Sequence, residues 1–533
     1  MVSNTSDIIL AIIIFISAAD FFIYAWLFLS YMVTVPYKAR ELSTKITSVF
    51  VIIFTIIFKL CYIPVFSIPL KKMFGFIFPY SGIFTNTLTY MNVSFSIIPV
   101  FLASWSTITQ QICTIKNVEV NRKINIVMPI YNEKPEALMD AIKSVKNLLY
   151  PKELIHLYLS FDEGVLENGS NSDAFYEVIK SCNVSHTDTR YRIDHEETDG
   201  LKMSFCRFSH GGKKSAQFGA FKEIEKDNDN LKDSLVLFID SDIILHEKCI
   251  LEFLKYMEHY DKSGLTGMIN CIASQTNSFI SYYQDAEYIS GQIFWRNLES
   301  FCGSTICLPG AFTILKYSFI KKVSDDYFLH GNDFVDNSEY QRFYLGEDRY
   351  LTHLLMEIEP WKLGFCESAK CKTYAPSTVR ELLRQRRRWY LGHMSNDVWM
   401  LCSLKLWKLY PFLSLFNLFN NIRNVSVYIY VSYFAFLLNH GGESVLLWFI
   451  FIILPSILNF VFIIIYSLKI KRKTNIPFYV IFIAFQPIIN MVYMYYTLWN
   501  IREKGWGGVR TMRKSNEIHD DQFEDRMSCD ATV

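Results

Sequence analysis

The chain has 533 residues, 51% of them hydrophobic, 16% aromatic and 20% charged, with a formal net charge of +1. This composition excludes a disordered chain, a collagen-like chain and a small disulfide scaffold, and so little net charge offers no global field for nucleic acid. Distribution is more informative than the totals: apolar residues fill blocks at the two ends, and charges fill the middle.

Residues 8–31 are almost unbroken hydrocarbon, interrupted by Asp20. At about 1.5 Å per residue they reach across a bilayer core of ~30 Å. No Lys or Arg precedes this run and no small-residue cleavage pattern follows it, so it reads as an anchor and not as a cleaved signal peptide. Further candidate spans are 46–68 and 89–112. The loop after the first run carries Lys38, Arg40 and Lys45, the loop after the second only Lys71 and Lys72, and the stretch after the third Lys116, Arg122 and Lys123. That bias places the N-terminus outside and the middle region in the cytosol. Cytosolic cysteines are expected as thiols. With no C-x-x-C, and with four residues between Cys302 and Cys307 and between Cys366 and Cys371, the spacing gives little support for zinc.

The polar middle alternates strand and helix. Residues 124–130 read as a buried strand ending in Tyr131-Asn-Glu133. Pro135 opens a helix with Leu138, Ala141, Val145 and Leu148 at helical spacing. Residues 154–160 form a second strand ending in Phe161-Asp-Glu-Gly164, and residues 235–239 another ending in Asp240-Ser-Asp242. Three strands thus deliver carboxylates to one edge, which is where open parallel sheets bind ligands. Two carboxylates one residue apart at a strand end suit a hard divalent ion that also takes phosphate oxygens. His210-Gly-Gly-Lys-Lys-Ser215 is not a phosphate loop, since Arg207 stands where the first Gly is needed and Lys214 follows Lys213. Its glycines and lysines, opening a helix, still suit an anion.

Further along, Thr378 to Asp397 reads as a helix on the membrane face, with Val379, Leu382, Leu383, Trp389 and Tyr390 apolar and Arg380, Arg384, Arg386, Arg387 and Arg388 positive. Gln385, Arg388 and Trp389 share one face. Apolar runs follow at 412–438, 445–468 and 476–499, with Lys469, Lys471, Arg472 and Lys473 between the last two. Asn417, Asn420, Asn421, Arg423 and Asn424 are costly in lipid and are expected to face protein, water or glycan.

Taken together, Tyr131-Asn-Glu133, Asp162, Gly212-Lys-Lys214, Asp240-Ser-Asp242, Gly346-Glu-Asp-Arg349 and Gln385-Arg-Arg-Arg-Trp389 occur in an order that resembles the membrane-embedded, processive family 2 glycosyltransferases, the cellulose, hyaluronan and chitin synthases. The resemblance covers about residues 120–400. Gln385-Arg-Arg-Arg-Trp389, Gly346-Glu-Asp-Arg-Tyr-Leu351 and the stretch from Glu287 through Glu299 to Thr305-Ile-Cys-Leu-Pro-Gly310 are closest to the chitin synthases. Trp506-Gly-Gly-Val-Arg510 resembles their gating motif, with Gly508 in place of the usual Thr. Asp162-Glu-Gly164 inserts a Glu into the usual D-G pair.

The resemblance implies a cytosolic α/β glycosyltransferase domain of GT-A type, with a mostly parallel, nucleotide-binding sheet, set between transmembrane helix blocks. It implies inverting, processive transfer of N-acetylglucosamine from UDP-GlcNAc to the 4-hydroxyl of a growing β-1,4 chitin chain. A departing diphosphate needs a cation, so Mg²⁺ or Mn²⁺ is expected on Asp242, with Asp240 beside it. Asp348 is the expected base, with Glu347 as its alternative. Donor contacts are expected from Tyr131, Glu133, Asp162, Lys213, Lys214, Asp240, Gln385, Arg388, Trp506 and Arg510. Acceptor contacts are expected from Trp389, Cys307, Pro309, Gly310 and Glu299. The expected divisions are 1–116 (about three membrane helices), 117–376 (catalytic), 377–410 (interfacial), 411–500 (membrane or re-entrant) and 501–533 (gating motif and tail). Keeping Trp506 on the cytosolic side requires 476–499, with Pro477 and Pro487, to dip in and return, which leaves five full spans of a multi-pass plasma-membrane protein. The lipid bilayer is therefore a partner along with UDP-GlcNAc and the chitin chain. A hyaluronan or other β-glycan synthase is the competing enzyme, and a transporter or scaffold is the competing non-enzyme.

Overall fold

A computed structural model describes residues 23–57, 120–131, 133–162, 191–422 apart from 209–210, 228–230, 273–278 and 330–336, and 476–503, with a few single residues between these. Four apolar runs therefore lie largely outside the described residues: 89–112, 412–438, 445–468 and the first part of 8–31. Helix occupies 23–38 and 42–57, with the break at the predicted basic loop. Among the described residues searched, no helix is long and apolar enough to cross a membrane.

Among the described residues the middle region has nine strands: β1 Ile124–Ile130, β2 Ile155–Phe161, β3 Arg192–Glu196, β4 Lys202–Arg207, β5 Leu235–Ile239, β6 Ile244–Leu245, β7 Gly264–Ile272, β8 Phe312–Lys316 and β9 Leu363–Tyr374. They form one sheet in the order β3-β4-β2-β1-β5-β8-β7-β9-β6. The run β4-β2-β1-β5 is parallel, as its strand–helix alternation requires. Beyond it β7 and β9 are parallel, while β3, β8 and β6 pair antiparallel, so the sheet as a whole is mixed.

Every residue of β1, β2 and β5 is buried, because helices cover both faces. Period-2 alternation sends Ile124, Ile126, Met128 and Ile130 to one core and Val127 to the other. The first core is closed by α1 (Pro135–Lys146) and α3 (Cys249–His259), and the second by α2 (Lys213–Asp227) and α5 (Glu347–Ile358). Pro135 sits at the start of α1, as expected, and Leu148 is buried just past its end.

Four more helices complete the site. They are α4 (Phe279–Ser290), α6 (Val379–Cys402), α7 (Pro411–Ile422) and α8 (Ile476–Trp499). Thr378 caps α6 in a reciprocal box with Glu381. Helix α6 runs five residues past Asp397 and has α5, α7 and α8 as packing partners. Two π-type turns, Gly291–Arg296 and Gln341–Leu345, flank the region where these helices meet the sheet.

Candidate active site

Parallel strands β1, β2 and β5 end side by side, and the predicted residues follow from there. Tyr131 is exposed at the end of β1. Asp240 and Asp242 follow β5 with buried Ser241 between them, and the Ser241 hydroxyl turns inward to donate to Glu133 Oε2 at 2.7 Å. The two carboxylates are thus freed from the core by the alternation that buries the serine. Asp240 Oδ1 meets Lys213 Nζ at 2.7 Å, and Asp242 Oδ2 accepts from the Thr373 hydroxyl at 3.3 Å.

The turn before α2 differs from expectation. Its backbone amides do meet an anion, but that anion is Asp162: Gly211 N donates to Oδ1 at 2.8 Å and Gly212 N to Oδ2 at 3.0 Å. Asp162 is buried. Its role here is to hold the lysine-bearing turn, and Gly212 is needed there for its φ of +85°. The two lysines then diverge. Lys213 reaches Asp240 and lies 3.8 Å from Glu347. Burial opposes its charge, but the carboxylates of Asp240 and Glu347 outweigh burial and hold the ammonium above its ordinary value. Lys214 instead points into the protein against the rings of Tyr327 and Tyr350, 5.1 and 5.7 Å away. Burial pulls it down to about 8, with Glu347 partly opposing.

Glu347 and Asp348 open α5 beneath this lysine pair. Glu347 is buried, and its acid is pushed up to about 7 by burial and by Asp348, against Lys213 and Arg388. Its Oε2 meets no hydrogen-bond partner among the described residues. Asp348 accepts from the Cys307 thiol at 3.3 Å and from the amide of Arg349 at 2.8 Å. Burial first, and Asp348 next, keep that thiol protonated. The cleft between them is lined by Gln217, Leu308, Gly310, Tyr327, Glu347 and Asp348, among others. A β-carbon on Gly310 would lie 3.0 Å from Lys213 Nζ, so the glycine admits the lysine. Pro309 turns the loop through its carbonyl, which accepts from Phe312 N at 3.1 Å and Thr313 Oγ1 at 2.8 Å. Glu299 accepts from Ile306 N at 3.0 Å and so braces the loop that leads to Cys307–Gly310.

Helix α6 closes the far side. The charge of Arg388 is felt by both Lys213 and Glu347. Arg386 is buried in an ion pair with Glu287 of α4, Nη2 to Oε2 2.5 Å, and donates to Gln385 at 2.5 Å. Its guanidinium lies 4.1 Å from the Trp389 ring, which also meets Tyr288. Arg387 is buried and donates to the carbonyls of Asn500 and Glu503 at 2.9 and 2.6 Å, neutralising the C-terminal end of α8. Two of the five arginines of this helix thus serve protein partners and not a lipid surface. Trp506 and Arg510 lie outside the described residues. The Glu287–Arg386 pair was missed in the sequence because its members are 99 residues apart, although both sit inside the quoted motifs.

Asp240 and Asp242 suit a hard divalent cation by donor chemistry. Two carboxylates would leave the remaining positions of such an ion to phosphate oxygens and water.

A family model described as "Chitin synthase" matches residues 217–532. Chitin synthase G of Aspergillus niger is 36% identical over 411 residues, covering 74% of this chain and 54% of that protein. Chitin synthase 7 of Pyricularia oryzae is 32% identical over 540 residues, covering 94% of this chain and 63% of that protein. Chitin synthase 6 of Gibberella zeae is 31% identical over 541 residues, covering 96% of this chain and 68% of that protein. The chain thus spans roughly half to two thirds of the length of the curated relatives it matches. The chain belongs to the chitin synthase family.

Proposed function

We propose that this chitin synthase family member transfers N-acetylglucosamine from UDP-GlcNAc to the 4-hydroxyl of a growing β-1,4 chain, with inversion, and passes the polymer through the membrane. The observation that carries this reading is the set of contacts at the strand ends of the α/β unit, where Lys213 meets Asp240 and Glu347 and the Cys307 thiol meets Asp348. Asp348 takes the proton of the attacking hydroxyl, a role worth ~10²–10⁴-fold. Lys213 and Arg388 offset the charge that grows on the diphosphate as the glycosidic bond breaks. Mg²⁺ or Mn²⁺ on Asp242 and Asp240 would supply further charge stabilisation to the leaving group. Trp389 offers the acceptor sugar a ring whose tilt is fixed by Arg386 and Tyr288.

The same reading puts the α/β unit on the cytosolic side of a plasma membrane. It is supported by the apolar terminal blocks and by large apolar side chains that helices 23–38 and 42–57 present outward, Trp26, Phe50 and Ile57 among them. The end of the first of these helices reaches the catalytic unit, where Lys38 pairs with Glu339 at 3.1 Å. The segment expected to dip in and return is instead one unbroken helix, Ile476–Trp499, so the count of five spans is not kept; the cytosolic C-terminus is, and external labelling that reached Cys529 would contradict it.

The test is product analysis on purified protein in vesicles with Mg²⁺ or Mn²⁺ and one nucleotide sugar at a time. UDP-GlcNAc alone is expected to yield polymer that chitinase destroys. A requirement for UDP-GlcA as well identifies a hyaluronan synthase instead, and absence of both polymer and UDP release sinks the enzyme reading.

A further inference from the structure

The turn that carries Glu347 and Asp348 is moored on α6, several residues beyond the arginine-rich stretch. Gly346 precedes α5 and lies against Gly392, where a β-carbon would come within 2.8 Å of the Gly346 Cα. The Asn396 amide donates to the carbonyls of Gly346 and Gly392 at 3.0 and 2.9 Å. Next to it, the fully buried Asp397 accepts Arg349 Nη1 on Oδ1 at 3.0 Å. Its Oδ2 meets His393 Nε2 and Asn421 Nδ2, each at 3.1 Å. Asn421 lies on α7, at the start of the C-terminal apolar block, and also accepts from the Tyr24 hydroxyl at 3.3 Å. One carboxylate therefore joins α5, α6 and α7.

The charges around it are unequal. Arg349 is faced by Asp397, Cys307, Asp348 and Glu299. Asp397 is faced by His393, Arg349, Asn421 and His353. Burial pulls His393 to about 4 and His353 to about 3, so both are neutral at pH 7. Arg349 is then the full positive charge among these groups that balances Asp397. Glu299 is held by the Ile306 amide. If Asp397 loses its charge, the neighbouring Asp348 is the carboxylate left for the guanidinium, and pairing with it makes that carboxylate a weaker base.

We propose that Asp397 is a positioning residue for the base: it holds Arg349 away from Asp348, and through Asn421 it ties that setting to the C-terminal apolar block. The inference rests on the reading of Asp348 as base.

The experiment uses the full chain in vesicles, measuring UDP release from UDP-GlcNAc across pH for wild type, D397N, D397E, R349Q and R349Q/D397N. Folded D397N is expected to lose about 10–100-fold in kcat with KM within twofold, the scale that follows from misplacing one reacting group. The acid limb of its rate profile is expected to move to lower pH, and D397E to recover part of the rate. Because Asp397 acts through Arg349, R349Q/D397N is expected to match R349Q within about threefold. A folded D397N with wild-type kcat overturns the proposal, and so does a parallel loss of kcat and KM with an unchanged pH profile. If D397N does not fold, the comparison of R349Q with the double variant decides: equal rates support the proposal and a further tenfold loss overturns it. Wild-type protein that releases no UDP sinks the functional reading and this inference with it.

Discussion

Charged groups occupy two regions of this molecule under different physical conditions. At the strand ends, Lys213 and Asp240 form an ion pair with side chains 16% and 26% exposed. In the helical layer one member of each pair is sealed: Asp397 is 0%, Arg387 1% and Arg386 5% exposed, while their partners Arg349, Glu503 and Glu287 keep 21%, 55% and 23%. A pair that still meets water can exchange its partner for an incoming phosphate or cation at modest cost, because solvent screens both states. A buried pair cannot, since losing one partner strands the other in a poor solvent. The first region is therefore built for exchange and the second for fixed geometry. Asp162 is buried although it stands at a strand end, and it holds the turn before α2.

The sharpest way to break this comparison is Asp348→Asn. If the strand-end side performs the chemistry, this change removes the proton acceptor while keeping shape, and polymer synthesis is expected to fall ~10²–10⁴-fold with melting behaviour unchanged. Retention of activity moves the base to Glu347. In the helical layer the expected effect falls on stability. Glu287→Gln leaves the Arg386 guanidinium, 5% exposed, without its counter-charge, and the expected cost is about 2–3 kcal/mol, read as a lowered denaturation midpoint in detergent. An unchanged midpoint would show that the buried pair does not fix α4 to α6.

Parts of this division were legible in the chain. Residues 124–130, 154–160 and 235–239 announce themselves because largely apolar runs ending in carboxylates have few other solutions in an α/β protein, and the second strand lies one residue later, at Ile155–Phe161. Local chemistry also announces α1, through Pro135. What stayed hidden was partnership. Nothing local distinguishes Lys213 from Lys214, and only the helical turn of about 100° between neighbours sends one to Asp240 and the other to Tyr327. The glycines before α2 suggested an external anion, whereas the protein supplies its own in Asp162 from 49 residues away. The arginines of α6 looked alike as a charged face, yet their partners lie on α4 and beyond α8.

A smaller effect sharpens the role of Asp162. Gly212→Ala places a side chain where φ is +85° and where the Tyr344 hydroxyl would lie 2.5 Å from the new β-carbon. The strain is expected to cost about 1–2 kcal/mol, since a ring at the end of a side chain can move aside. Because the same turn aims Lys213, the apparent affinity for UDP should fall as well. A change in stability with unaltered UDP binding would separate the turn from the donor.

The smallest expected effect concerns Lys214, the cation that lies with the buried set although its neighbour belongs to the exchanging one. Its value is about 8 in the folded protein against an ordinary 10.5, with burial the largest cause. Between these values the unfolded chain keeps a proton that the folded protein releases, so stability is expected to rise as pH goes from 8 to 10.5 and to be flat in this respect below 8. Lys214→Met should remove that rise. At pH 7 it should also stabilise by only ~1 kcal/mol, because relief of the buried charge is offset by loss of its attraction to the Tyr327 and Tyr350 rings. Denaturation midpoints of the two proteins at pH 7, 8.5 and 10 decide this. Parallel curves would mean that Lys214 keeps its proton throughout, and that its side chain belongs functionally with Lys213 at the open edge of the sheet.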